Sequence, residues 1–247
     1  VTPEQAVILA AGNGQRLCSC GSPKSLVEVA GRALIDHVLA LLAAAGVRRA
    51  VVVTGHEAER LRCHRFAPAP AVEFVHNRRH DEPNGLSLLC AEPRVEPPFL
   101  LLMADHLFAP ALLARLLAAG DPGLGGWLAV DRRVDAVFDP ADATRVATTL
   151  GRVRAIGKGL VSFDAIDTGV FTLGSGIFDA MRASLEGGDA SLSGAIRVLS
   201  AQGRMGAVDV GDACWIDVDT PAALREASRL AAAGHVGADA LVGAGGP

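Results

Sequence analysis

A short apolar run, Ala6 to Leu9, leads directly into Leu9-Ala10-Ala11-Gly12-Asn13-Gly14-Gln15-Arg16. This order of strand then glycine loop narrows the fold more than any other stretch of the chain. Glycines at 12 and 14 let the backbone turn sharply and aim several N–H groups at one point, an arrangement suited to phosphate oxygens. Arg16 and the Pro23-Lys24 pair that follows can neutralise a polyphosphate, arginine as a fork and lysine as a point charge. The loop is not a Walker loop, since no Gly-Lys-Ser/Thr closes it. Nor is it the dinucleotide fingerprint, because Leu17 stands where a third glycine is needed.

Behind the loop the chain alternates. Leu34 to Ala45 has helical spacing and stops at Gly46, and Ala50 to Thr54 is a β-branched strand. His56 to Arg65 reads as a helix, Val72 to Val75 and Phe99 to Met103 as strands, and Pro110 to Ala119 as a helix. The second half is less regular. Leu150-Gly151 marks a hairpin between Arg145–Thr149 and Val153–Ile156; further strands are expected at Thr168–Leu173, Ala207–Val210 and Trp215–Val218. Helices are expected at Ile177–Leu185, Ser193–Ala201 and Pro221–Ala232. The pattern predicts a three-layer α/β/α, Rossmann-like domain with a mixed, mostly parallel sheet over residues 1–232. Residues 233–247, rich in Gly and Ala and without periodicity, read as a linker-like tail. With no initiator Met, they suggest a domain joined to a further one downstream.

Composition removes several classes. A formal net charge of −4 with no Lys/Arg block argues against nucleic acid. The most apolar stretch, Ala33 to Val47, carries Asp36 and His37 and is too short to span a bilayer, so no membrane partner is expected. Val1 is followed at once by polar residues, which does not resemble a signal peptide. The five cysteines are irregularly spaced, and Cys18-Ser19-Cys20 has no His at ligand spacing, so reduced thiols in a cytoplasmic protein are expected.

Carboxylates mark the chemistry. Asp105 sits directly after an apolar strand, where open α/β sheets place their sites. Asp217 in Trp215-Ile216-Asp217-Val218-Asp219-Thr220 is a second such position, and the two are candidate ligands of Mg²⁺, which takes one or two carboxylates and leaves the rest to water and phosphate. Asp219 reads as the cap of a helix starting Asp-Thr-Pro. His106 reads as a capping or supporting group. Asn84, Gly85 and Ser87 open a short helix whose N–H groups and hydroxyl suit a base edge or a phosphate. Asp131 and Arg132 end another strand and are candidate acceptor contacts. Asp167 suits an acceptor hydroxyl or holds its turn, and Lys158, taken alone, is an ordinary surface lysine.

Taken in order, these motifs resemble the sugar-nucleotide pyrophosphorylase-like nucleotidyltransferases, whose signature is the Leu-Ala-Ala-Gly-x-Gly-x-Arg loop with Pro-Lys. Within them the chain is most similar to the CTP:inositol-1-phosphate cytidylyltransferases, through Asn84-Gly85-Leu86-Ser87-Leu88-Leu89, Met103-Ala104-Asp105-His106, Ile156-Gly157-Lys158, Asp167-Thr168-Gly169 and Trp215 to Thr220. It also resembles the cytidylyltransferase domain fused to a phosphoenolpyruvate phosphomutase in fosfomycin biosynthesis. The loop departs from the family in Gln15, where Thr is usual, and the strand end in Ala104, where Gly is common.

The resemblance implies transfer of CMP from CTP to a small phosphonate- or phosphate-bearing alcohol with release of pyrophosphate and with Mg²⁺. Arg16 would hold the β- and γ-phosphates and Lys24 the α-phosphate. Leu9, Ala10, Ala11, Gly12, Asn13 and Gly14 would cradle the nucleotide together with Asn84, Gly85, Ser87 and Asp105. His106, Asp131, Arg132, Lys158 and Asp167 would face the acceptor. The chain has no Tyr, two Trp and eight Phe, which ranks phosphocholine low, because choline is normally caged by aromatic faces. The tail and the composition favour 2-hydroxyethylphosphonate as acceptor, with inositol 1-phosphate as runner-up. A sugar-1-phosphate enzyme using UTP or dTTP, and a silent nucleotide-sensing domain, are the other classes in play.

Overall fold

The structure, a computed structural model, describes residues 2–14, 16–17 and 23–243, with side chains through Leu241. Gln15 and Cys18 to Ser22, remarked on above, lie outside the described residues.

Strand β1 (Gln5–Ala10) is followed by the glycine loop and a small hairpin, β2 (Glu28–Val29) and β3 (Arg32–Ala33), then α1 (Leu34–Ala44), β4 (Arg49–Thr54), α2 (Ala58–Arg62), β5 (Ala71–His76), α3 (Gly85–Ala91) and β6 (Phe99–Met103). The second half runs β7 (His106–Phe108), α4 (Pro110–Ala118), β8 (Gly126–Asp131), β9 (Arg145–Thr149), β10 (Arg152–Gly157), β11 (Ala165–Leu173), α5 (Gly176–Glu186), α6 (Leu192–Ala201), β12 (Met205–Asp209), β13 (Trp215–Asp217), α7 (Pro221–Ala232) and α8 (Asp239–Gly243). Helix α2 is shorter than the expected His56 to Arg65. Its entry residue Glu57 takes a left-handed backbone, φ 52°, and such a residue cannot continue a right-handed helix.

The main sheet has nine strands in the order β5-β4-β1-β6-β11-β8-β12-β10-β9. Pairs β5–β4, β4–β1, β1–β6 and β8–β12 are parallel; β11 and β10 run against the rest. Alternation along β1 feeds two cores. Val7 and Leu9 pack with α3, α5 and α6 on one face; Ala6, Ile8 and Ala10 pack with α1 and α4 on the other. The predicted three layers follow from that period-2 pattern in strands buried on both sides.

Two strands stand apart. β7 and β13 form a separate antiparallel ribbon, with Trp215 opposite Phe108, Ile216 opposite Leu107 and Asp217 opposite His106. Leu107, Ile216 and Val218 pack against Ala223, Ala227 and Ala231 of α7 in a third cluster. The ribbon crosses the carboxyl ends of the parallel strands, where the site lies.

The chain does not loosen at residue 233. Val236 is fully buried in the third cluster, the Gly237 N–H donates to the Phe108 carbonyl at 3.0 Å, and the Ala238 N–H donates to His37 Nδ1 at 3.0 Å. His37, itself wholly buried, donates from Nε2 to the Val29 carbonyl at 2.9 Å. Residues 233–241 are therefore part of the domain, not the linker their composition suggested. Small residues here serve close packing against His37. Replacing Val236 with Asp would bury an unpaired charge, at a cost of about 3 kcal/mol or more. Thermal unfolding is expected to shift down by about 6–12 °C in a chain of this size; an unchanged Tm would restore the linker reading.

Candidate functional site

The glycine loop leaves β1 at the carboxyl edge of the sheet. Gly14 has φ 58°, and a Cβ there would stand 2.7 Å from the Lys24 Cβ, so the loop turns back over the lysine only with glycine at this place. Gly12, Asn13, Gly14, Arg16 and Lys24 line one cavity, with Asp105 and Asp219 as its far wall. Of the residues expected to cradle a nucleotide, Leu9 is committed to the fold: its side chain is in the core and its carbonyl accepts from the Ala104 N–H at 3.1 Å.

Lys24 is the centre of the site. It is only 9% exposed, and its Nζ lies 2.5 Å from Asp105 Oδ2 and 3.6 Å from Asp217 Oδ1 and is ion-paired with Asp219. A buried ammonium is tolerated only with such partners. Asp105 follows β6, and Asp217 closes β13. The Val218 N–H donates to the Asp105 carbonyl at 3.0 Å, so the ribbon pins the two carboxylates side by side. Asp219 was expected to cap α7. The structure gives that task to Thr220, whose side chain accepts from the Ala223 N–H at 3.1 Å, and frees Asp219 to pair with Lys24 and Arg16.

His106 completes the cluster. Nδ1 donates to the Thr168 carbonyl at 2.8 Å, and Nε2 stands 3.7 Å from Asp105 and 3.6 Å from Asp217. The carbonyl is presented by an irregularity in β11 between Asp167 and Phe171. Gly169, at φ 74°, leaves the space the imidazole occupies, since a Cβ there would meet the ring at 2.3 Å. Burial opposes a charge on His106, but the Asp217 and Asp105 carboxylates outweigh it and push the imidazole up to about 9. Burial likewise works against ionised Asp217, yet His106, Lys24 and Arg16 hold its carboxyl down at about 2.

Asp105, His106 and Asp217 offer donor atoms within 4.8 Å of one another. Asp217 Oδ1 is buried and lacks a hydrogen-bond partner. Two carboxylates with phosphate oxygens and water suit Mg²⁺, while an imidazole is a poor ligand for it. The donor set therefore fits a magnesium ion held by Asp105 and Asp217, with the His106 imidazole as a neighbouring positive charge beside them.

A second cavity opens on the other side of these carboxylates. Its wall includes Asn84, His106, Lys158, Asp167 and, from the segment between β8 and β9, Asp139, Asp142 and Thr144. Asp167 accepts from the Gly169 N–H at 2.7 Å, and burial pushes its carboxyl up to about 6. Asp142 accepts from Arg16 at 2.6 Å and Lys158 at 2.7 Å, which hold it below the usual carboxylate range. Asp139, Asp142 and Thr144 were not singled out from the sequence. An Asp-Pro-Ala-Asp run between strands reads as a turn, and only the fold brings it opposite the glycine loop.

Four expectations are corrected. Asp131, expected to face the acceptor, is not in the wall of this cavity. Its buried carboxylate accepts from Arg133 at 2.9 Å and from the Trp215 indole N–H at 2.9 Å. Arg132 lies outside the cavity as well, pairing with Asp164 and Asp209. Ser87 is buried and accepts from the Asn77 amide at 3.0 Å. At Gly85 a Cβ would strike the Ala190 carbonyl and the Met181 sulfur, both at 2.5 Å, so glycine there serves helix packing. Asn84 does line the cavity, with its side-chain carbonyl taking the Leu192 N–H at 3.0 Å.

A doubly covered α/β sheet, a glycine loop with a cation pair and two metal-competent carboxylates define a domain that handles nucleoside triphosphates. The chain belongs to the MobA-like NTP transferase domain family, whose model matches residues 6–156. It is 36% identical over 227 residues to a bifunctional IPC transferase and DIPP synthase of Rubrobacter xylanophilus, across 91% of this chain and 51% of that protein. It is 32% identical over 240 residues to a CMP-5'-(3-aminopropyl)phosphonate synthase of Streptomyces rubellomurinus, across 91% and 38%. The chain thus spans about half or less of the length of these curated relatives. Among solved structures, the inositol-1-phosphate CTP transferase from T. maritima superposes with a TM-score of 0.79 at 26% identity, covering 93% of this chain and 96% of that one. A UTP-bound UGPase from Acinetobacter baumannii, at 18% identity and a TM-score of 0.70 over 92% of each chain, shares the fold. The chain is a nucleotidyltransferase, and no helix among the described residues is long and apolar enough to cross a membrane.

The corrected role of Asp131 is testable. Burial disfavours its charge, but Arg133 and Trp215 more than compensate and hold its carboxyl below the ordinary 3.8. A carboxyl depressed in the folded state contributes stability above its unfolded value and loses it as pH falls through the folded value. Asp131→Asn is expected to cost about 3 kcal/mol at neutral pH, with the Tm gap to wild type narrowing below about pH 4. Unchanged stability combined with a raised KM for the acceptor would return Asp131 to the acceptor site.

Proposed function

We propose that this chain transfers CMP from CTP to inositol 1-phosphate or a closely similar polyol phosphate, with release of pyrophosphate. The observation that carries the acceptor choice is the polar wall of the second cavity. Lys158 is suited to a phosphate, and Asp139, Asp142, Thr144 and Asp167 supply hydrogen-bonding groups for several hydroxyls. Each hydroxyl left buried and unpaired would cost about 1–3 kcal/mol, so a cavity this polar favours a polyol over a two-carbon phosphonate. The relatives lean the same way, through the Rubrobacter protein and the T. maritima transferase. The order of acceptors expected from the sequence is therefore reversed, and the packed segment 233–241 removes one of the reasons for the earlier order. The Streptomyces phosphonate synthase keeps phosphonates as the second reading. A further domain downstream remains in keeping with the bifunctional name of the Rubrobacter relative.

In this reading an oxygen of the acceptor's phosphate attacks the α-phosphorus of CTP. A new P–O bond forms, the bond from the α-phosphorus to the α,β-bridging oxygen breaks, and pyrophosphate leaves in line. A phosphomonoester dianion needs no general base, so the residues act by position and charge. Arg16 meets the β- and γ-phosphates, and Lys24 meets the α-phosphate as charge builds there. Ala10, Ala11, Gly12, Asn13 and Gly14 supply the backbone cradle. Mg²⁺, held by Asp105 and Asp217, supplies neutralisation of phosphate charge.

Pyrophosphate release tests the reading. CTP with inositol 1-phosphate is expected to turn over faster than CTP with 2-hydroxyethylphosphonate, and faster than UTP or dTTP with either. Asp217→Asn is expected to lose at least about 100-fold in kcat while remaining folded. Turnover with UTP and a sugar 1-phosphate but not with CTP would overturn the nucleotide choice. A preference for the phosphonate would overturn the acceptor alone.

A further inference from the structure

Asp142 belongs to no element of the sheet, yet it joins the two cavities. Its carboxylate takes Arg16 Nη1 at 2.6 Å on one side and Lys158 Nζ at 2.7 Å on the other. Arg16 extends the chain of charges through Nη2 to Asp219, which holds Lys24. Arg16 lines the nucleotide-side cavity, Asp142 and Lys158 line the acceptor-side cavity, and Asp219 lines both. Opposite charges thus alternate without a break from the acceptor wall to the metal carboxylates.

We infer that Asp142 is a positioning residue that restrains Arg16 in the unliganded enzyme and orients Lys158 for the acceptor once the nucleotide has drawn Arg16 away. This rests on the proposed reaction, in which Arg16 meets the β- and γ-phosphates. A triphosphate competes with Asp142 and Asp219 for the guanidinium, which pairs with both. Its departure leaves Asp142 with a single cation, Lys158. A 59% exposed lysine side chain has many rotamers to lose when it binds a phosphate. The carboxylate keeps the ammonium over the cavity with its remaining donors available. One carboxylate therefore opposes the first ligand and assists the second.

Opposed signs are what the experiment reads. Titration calorimetry with Mg²⁺ and CTP alone gives the nucleotide Kd, and steady-state turnover at saturating CTP gives kcat/KM for inositol 1-phosphate. In Asp142→Asn, the CTP Kd is expected to fall about two- to fivefold and the acceptor kcat/KM to fall about two- to fivefold, the range of partly exposed ion pairs. Asp142→Glu is expected to recover part of both, and Tm is expected to change little, since surface pairs contribute little to stability. A merely structural role would weaken both ligands together. Loss of both affinities, or no change in either, overturns the inference while wild-type turnover stands. Failure of the wild type to bind CTP overturns the proposed reaction and this inference with it.

Discussion

The buried ammonium of Lys24 organises the site. Three carboxylates that come from two distant stretches of chain, Asp105 from one and Asp217 and Asp219 from the other, would repel one another at this spacing. Lys24 lies against all three and makes their approach tolerable before any metal arrives. The same contact explains the glycine loop, because Gly14 must stay without a side chain for the backbone to fold over the lysine. Loop geometry, carboxylate spacing and the position of the ribbon are thus one arrangement rather than three.

Much of this was legible in the residues. The strand and helix periods of the first half gave the layers, since strands such as Val51 to Val53 and Phe99 to Leu102 are apolar throughout and demand cover on both faces. Asp105 and Asp217 were readable because each directly follows or ends an apolar run, where sheet geometry leaves chemistry as the simplest use for a charge; Lys24 was readable from the Pro-Lys pair behind the glycine loop. Asp219 was misjudged because its local signal, Asp-Thr-Pro, is a good cap, and only the fold shows Thr220 doing that work. Composition misled at residues 233–241, since small residues look the same in a linker and in a tight contact with His37.

The acceptor side was harder to read for a physical reason. Asp139, Asp142 and Thr144 lie between strands, without periodicity, and their neighbours in space are far away in sequence. Asp131 and Arg132 stood out more, at the end of an apolar strand, but the structure uses them to tie β8 to β13 and to the edge of the sheet. Charge at a strand end locates the catalytic edge; it does not say which side chains turn inward.

The small ribbon of β7 and β13 has one more consequence. It carries His106 and Asp217 on its own registered pair and packs on α7 through Leu107 and Ile216 and on the main sheet through Phe108. The segment between β8 and β9 comes from another stretch of chain and lines the same cavity as the ribbon. Changes at Asp139, Asp142 or Thr144 therefore reshape one wall of that cavity through a stretch of chain outside the registered ribbon.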